Sequence, residues 1–205
     1  MKRLLAGGLA FLVVTGQSPR DWTVAYDGGG SVRFEEHGAS REIRLKPAPA
    51  LLPSQTHAAL VLTALHQFKY FELELTFTNV QALRVGIPQP WETFWLFFNY
   101  QPDGSVKKTN YLAFKTNGLE AGFASGDRDQ KIFKTWESPV FPYGISEHIK
   151  IRRMATRFAI EINGQAPMIF EFATDENKPQ AVPGAIGLYT EDAEVLIQGI
   201  TIKSI

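Results

Sequence analysis

A chain of 205 residues with 44% hydrophobic and 20% charged side chains is long enough for one buried core and too ordinary in composition to be disordered. Its 21 basic residues balance 21 acidic ones, which leaves no electrostatic footprint for nucleic acid or for an anionic membrane surface. There is no cysteine, so disulfides, thiol catalysis and a lipoprotein anchor are excluded.

Lys2 and Arg3 precede the uncharged apolar run Leu4 to Val14, and Val14 and Gly16 place small residues where a leader is cut. The run is shorter than the about 20 residues of a membrane span. Residues 1–16 therefore read as a signal peptide and 17–205 as one mature domain, periplasmic or secreted. From Trp22 onward a period of two dominates. Gly28-Gly29-Gly30 is a turn, not a phosphate loop, because no GK[ST] ending comes after it. Pro47, Pro49 and Pro53 mark a connection before a strand at Ala58 to Thr63. Phe71, Leu73, Leu75 and Phe77 alternate with Glu72, Glu74 and Thr76, the pattern of a half-buried strand. Further strands are predicted at Phe94 to Gln101, Asn110 to Thr116, Leu119 to Ala124, His148 to Met154 and Phe158 to Ile162. Met168 to Phe172, Ala185 to Tyr189 and Val195 to Ile202 complete them. Asn163-Gly164 predicts a type I′ hairpin, Asp103-Gly104 another turn, and Pro139, Pro142 and Gly144 a loop. With no amphipathic helix and no repeat, the chain reads as all-β, a jelly-roll sandwich of two antiparallel sheets.

Two segments carry the chemistry, PQPWETFWLFFNYQ and Lys115 to Glu120. Alternation puts Trp95, Phe97 and Asn99 on one face of their strand. If the next two strands lie beside it, Tyr111, Lys115 and Glu120 share that face, with Ala113 and Gly122 as open floor. Aromatics that stack on sugar rings, beside amides and charges that bond hydroxyls, point to a glycan. The ligand-binding candidates are Trp91, Trp95, Asn99, Tyr111, Lys115 and Asn117. The same aromatics also suit a core, and Lys115 and Glu120 also suit a plain ion pair.

For catalysis, glycoside hydrolysis needs two carboxylates, and Glu92 and Glu120 adjoin the aromatic cluster. Glu72 and Glu74 alternate along a strand and read as solvent-facing. Lyase chemistry would draw on Tyr111, Lys115 and Arg84, because His37, His57, His66 and His148 are scattered. No cofactor is implied. The metal signals are weak: Asp27 and the turn Tyr189-Thr-Glu-Asp192 offer oxygens that would suit calcium.

His57 to Thr63, Phe71 to Leu75, Pro90 to Trp95, Lys115 to Glu120 and Gly184 to Asp192 together resemble bacterial concanavalin A-like lectin/glucanase domains. The likeness is to the extracellular 3-keto-disaccharide hydrolase and family 16 glycosidase-like set. It implies the sandwich, and carbohydrate contact on a concave sheet through Trp91, Glu92, Trp95, Lys115, Asn117 and Glu120. The Glu-x-Asp-x-Glu strand of family 16 is missing, so its catalytic pair does not transfer. Arg41 to Arg44 echoes an alginate-lyase strand without the accompanying Gln-Ile-His. The expected function is binding of an oligo- or polysaccharide. The alternatives are a glycoside hydrolase or polysaccharide lyase, and a non-catalytic envelope assembly module. No membrane span is expected, and oligomeric state is unassigned.

Overall fold

A computed structural model describes residues 13–15, 21–37, 40–101, 108–125, 129–155, 157–171 and 182–205. The predicted Asp103-Gly104 turn and most of the leader lie outside them. Among the described residues fifteen strands build two antiparallel sheets. The eight-stranded sheet contains β1 (Val13–Thr15), β3 (Ser31–His37), β4 (Ser40–Lys46), β6 (Phe71–Ala82), β11 (Ser146–Met154), β12 (Arg157–Ile162), β13 (Met168–Glu171) and β15 (Ala193–Ser204). Its order is β13-β12-β11-β6-β15-β4-β3, with β1 also on β15. The seven-stranded sheet runs β10 (Asp129–Trp136), β9 (Gly118–Ser125), β8 (Lys108–Lys115), β7 (Phe94–Gln101), β14 (Ala185–Glu191), β5 (Ala58–Thr63) and β2 (Trp22–Tyr26). Neighbours such as β6 and β15 are far apart in sequence, which is the jelly-roll arrangement. No helix among the described residues is long and apolar enough to cross a membrane.

Alternation decides which side of each strand is dry. Phe71, Leu73, Leu75 and Phe77 of β6 face Phe94, Leu96 and Phe98 of β7 and Leu112 and Phe114 of β8 across the inter-sheet core. Phe77 centres this contact, its ring 4.8 Å from Phe94 and 5.0 Å from Phe114. Asn79, the next inward position, is buried. Its amide oxygen accepts Phe94 N–H at 2.8 Å and its nitrogen donates to Phe141 O at 3.1 Å, tying a loop to both sheets. Glu72 and Glu74 face outward in ion pairs with Arg152 and with His148 and Lys150, as the solvent-facing reading expects.

Sequence reasoning missed β2, β3, β4 and β10. These strands are charged on both faces or interrupted, and all but β4 lie at sheet edges. β10 carries a bulge between Ile132 and Lys134 that breaks its period. Val13–Thr15, which the leader reading assigns to the removed segment, pair with Thr201 to Lys203, and cleavage after Gly16 would remove that pairing.

Glu194 of β15 collects Arg44 at 2.8 Å, Lys46 at 2.9 Å and Gln81 at 2.8 Å. Burial alone would push its carboxyl up, yet hydrogen bonds from Lys46, Gln81 and Arg44 outweigh that and hold it at about 2. A depressed folded-state value means that the stabilisation is present above the unfolded value and lost as pH falls through about 2. Glu194→Gln is expected to lower the urea midpoint at pH 7, and to flatten the wild-type loss of stability between pH ~4.5 and ~2. Parallel pH curves for the two proteins would contradict this.

Candidate functional site

The seven-stranded sheet is apolar on both sides. Its inner face belongs to the core, and its outer face carries a second layer of Leu60, Leu62, Trp95, Phe97, Tyr100, Tyr111 and Tyr189. The core partners Phe94, Leu96 and Phe98 are 0% exposed, whereas Trp95, Phe97 and Tyr189 keep 6%, 7% and 8%. Register aligns four residues in one row across four strands: Glu120 opposite Ala113, Ala113 opposite Trp95, and Trp95 opposite Tyr189. Trp95 thus lies between two tyrosines, with ring centroids 4.8 Å from Tyr111 and 5.8 Å from Tyr189. Phe97 stacks on Tyr189 at 4.5 Å. Gly187 leaves room for that stack, since a Cβ there would sit 3.1 Å from the Cβ of Phe97.

Each flanking tyrosine is bonded to a glutamate. Tyr111 Oη donates to Glu120 Oε1 at 2.9 Å, Lys115 Nζ sits 2.7 Å from Glu120 Oε2, and Gln130 Nε2 donates to Tyr111 Oη at 2.7 Å. On the other side Tyr189 Oη donates to Glu191. Burial raises both phenols, so each stays a proton donor at neutral pH. Burial also raises the Glu191 carboxyl, and the Tyr189 bond only partly offsets it. A carboxylate accepts about four hydrogen bonds. The single side-chain donor at each Glu120 oxygen therefore leaves capacity for a ligand hydroxyl.

The structure brings together Trp95, Tyr111, Lys115 and Glu120 as the alternation predicts, and corrects four expectations. Asn99 does not share their face. Its φ of +54° and the register shift after Phe98 turn it inward, where it accepts from Arg153 and Asn110 and donates to Val182 O. A left-handed residue reverses the alternation, so Tyr100 points outward and stacks beside Phe97. Gly184 is required there, because a Cβ would overlap the Asn99 backbone. Gly122 is not open floor, since the Tyr111 ring lies across it and its Oη occupies the place of a Cβ.

Trp95 is not a free platform, for its indole N–H donates to Trp91 O at 2.8 Å and its ring is buried. Trp91 is the open aromatic, 42% exposed at the rim. Asn117 is exposed on the β8–β9 turn, which Thr116 N–H fastens to Pro90 O at 3.1 Å. Trp91 and Asn117 therefore share one rim, next to the Lys115–Glu120 pair.

Glu92, read as a catalytic acid, is fully buried in an ion pair with Arg84, and its Oε2 has no protein partner among the described residues. Arg84 also holds Asp192 at 2.5 Å and donates to Gln55 O at 3.0 Å and Pro53 O at 3.2 Å. The bond to Glu92 raises the Arg84 guanidinium above its ordinary range. Asp192 spends its other oxygen on His57 N–H at 2.8 Å, and Asp27 accepts from Gly29 N–H. These two carboxylates thus bond backbone, and Glu191, the third acid offered for calcium, accepts from Tyr189 Oη. Sequence reasoning does not reach Tyr189, Glu191 and Gln130 as site residues. The alternation of Tyr189, Thr190 and Glu191 is the available signal, hidden because an acid-rich run also suits a turn.

No family model matches the sequence, and no curated protein does. Solved structures do. The carbohydrate-binding module CBM66 from Bacillus subtilis matches at TM-score 0.58 and 13% identity, over 90% of this chain and 96% of that one. A β-1,3-1,4-glucanase (lichenase) from a mouse hindgut metagenome matches at 0.56 and 12%, over 96% and 99%. A protein of unknown function with a galectin-like fold from Bacillus subtilis matches at 0.63 and 11%, over 94% and 95%. The chain has the concanavalin A-like jelly-roll fold, on which both binding modules and glucanases are built.

Proposed function

We propose that the protein binds a glycan along the outer face of the seven-stranded sheet, and that it is exported. The observation that carries the first part is the outer face on which Trp95 stands between two hydrogen-bonded tyrosine–glutamate pairs, Tyr111–Glu120 and Tyr189–Glu191. A sandwich needs one dry face per sheet. A second aromatic layer with carboxylates at its borders supplies what sugars require, an apolar floor and directed hydrogen bonds. Trp91 offers the exposed ring, and Lys115, Glu120, Asn117 and Glu191 read hydroxyls. Export is supported by the basic start and the apolar run that comes after it.

β-Glucans are the first ligands to try, given the fold neighbours. Glu120→Gln keeps the Tyr111 bond but removes the charge that holds Lys115. We expect it to weaken binding to mixed-linkage β-glucan roughly tenfold by titration calorimetry, about 1.4 kcal/mol, with a melting temperature lowered by the loss of the Lys115 pair but well above the titration temperature. Unchanged affinity would remove Glu120 from the site. A hydrolytic reading rests on one added fact: burial raises Glu191, which keeps it a proton donor to higher pH than an ordinary glutamate. New reducing ends from the same glucan, lost in Glu191→Gln with binding kept, would select hydrolysis over binding alone.

A further inference from the structure

One end of the sandwich is formed by residues 47–57, 85–91, 116–118 and 138–146. Val85 N–H bonds Ala50 O at 3.0 Å, Thr116 N–H bonds Pro90 O at 3.1 Å, and Phe141 N–H bonds Lys115 O at 3.0 Å, so the four loops are joined. None of the four contains a Lys, Arg, Asp or Glu, in a chain that has 42 of them. Among the described residues thirteen large apolar side chains are exposed, and seven of them are at this end. Leu51, Leu52, Val85, Ile87 and Trp91 project from two loops, and Val140 and Ile145 from a third. Of the charges at its border, Arg84 is closed on Glu92 and Asp192, Lys115 on Glu120 and Lys46 on Glu194, while Glu137 is exposed, as is Asp27 on the turn whose Gly28 O accepts Ala48 N–H at 3.2 Å. Seven prolines stiffen these segments, so the tips are held out rather than folded back.

We propose that this end inserts its apolar tips into the interface of an electrically neutral lipid bilayer. Exposed apolar surface gathered at one place, with charge excluded from it, marks a contact surface. Its lack of charge calls for a neutral counter-surface. The tips stand on separate loops at one end of the sandwich. A protein partner would need a matching pocket for each of them, whereas a fluid bilayer receives them all. Trp91 lies at the junction with the glycan face, where an indole suits the headgroup level. A glycan carried by a lipid would meet both surfaces together, yet the docking does not depend on the glycan reading.

The test is cosedimentation of the full chain with vesicles of pure phosphatidylcholine, which carry no sugar and no net charge. The wild type is expected to pellet with the vesicles equally at about 0.1 and 0.5 M NaCl, since screening acts only on charges. Leu52→Asp with Ile87→Asp is expected to lower the partition coefficient at least tenfold, and Leu65→Asp, away from this end, to leave it unchanged. Ile87→Asp alone, at a side chain 84% exposed, keeps the test decisive if the pair fails to fold. The proposal is overturned if the wild type stays in the supernatant, or if binding survives both substitutions and so belongs to another segment. It is also overturned by a vesicle-free dimer that Ile87→Asp dissociates, which would make this end a contact between copies.

Discussion

Arg84→Met is expected to cost about 3–5 kcal/mol of folding stability, because removing one partner of a buried ion pair strands the other. Here it strands two. Glu92 and Asp192 are both 0% exposed, and Arg84 is the cation paired with each. The same substitution releases Gln55 O and Pro53 O, which fasten the loop before β5. Methionine fills most of the arginine stem, so packing loss is small beside the electrostatic loss. Urea unfolding of the variant beside the wild type at pH 8 reads the deficit. A deficit below ~1 kcal/mol at pH 8 would put the cluster in the class of solvent-screened pairs.

The fold was legible because its central strands keep their period. The β6 sequence states its own inward face, and β7, β8 and β9 carry enough apolar residues for their adjacency to follow from a simple hairpin order. Two physical facts were not legible. A single left-handed residue at Asn99 reverses the facing of the residues after it, and asparagine gives only a weak hint of it. The depth of the outer layer was also hidden, because an alternating aromatic strand looks the same whether its second face meets solvent or neighbouring rings. Glu92 shows a third limit. Its neighbours in sequence are aromatic, but its partner Arg84 comes from across a loop and its environment from Asp192, on a distant strand connection.

The outer layer also explains why Glu191 sits badly for stability and well for a ligand. A carboxylate held in that environment has its charged form disfavoured by burial, with Tyr189 as its side-chain donor. A raised folded-state value for an acid means that its charge costs stability as pH rises above the ordinary carboxylate range. Groups left at such a cost are candidates for function, because a ligand hydroxyl can supply a further hydrogen bond. Glu194, on the eight-stranded sheet, is the contrast: it has three donors and a depressed value.

Trp95→Ala is the substitution that decides what the outer layer is. A free stacking platform would lose affinity and keep its melting temperature. The ring of Trp95 is instead 6% exposed, touches Tyr111, Phe97 and Tyr189, and spends its N–H on Trp91 O. Truncating a buried aromatic costs about 3–5 kcal/mol through lost transfer energy and the cavity left behind. The expected result is a melting temperature lower by about 6–20 °C, by the usual shift per kcal/mol for a domain of this size. Trp91→Ala is expected to do the reverse, lowering glycan affinity several-fold with stability changed by less than ~1 kcal/mol, since its ring is open at the rim. Calorimetric melting of both variants, with and without β-glucan, reads the two effects together. If Trp95→Ala melts like the wild type, the layer adds nothing to folding, and the inter-sheet core alone holds the sandwich.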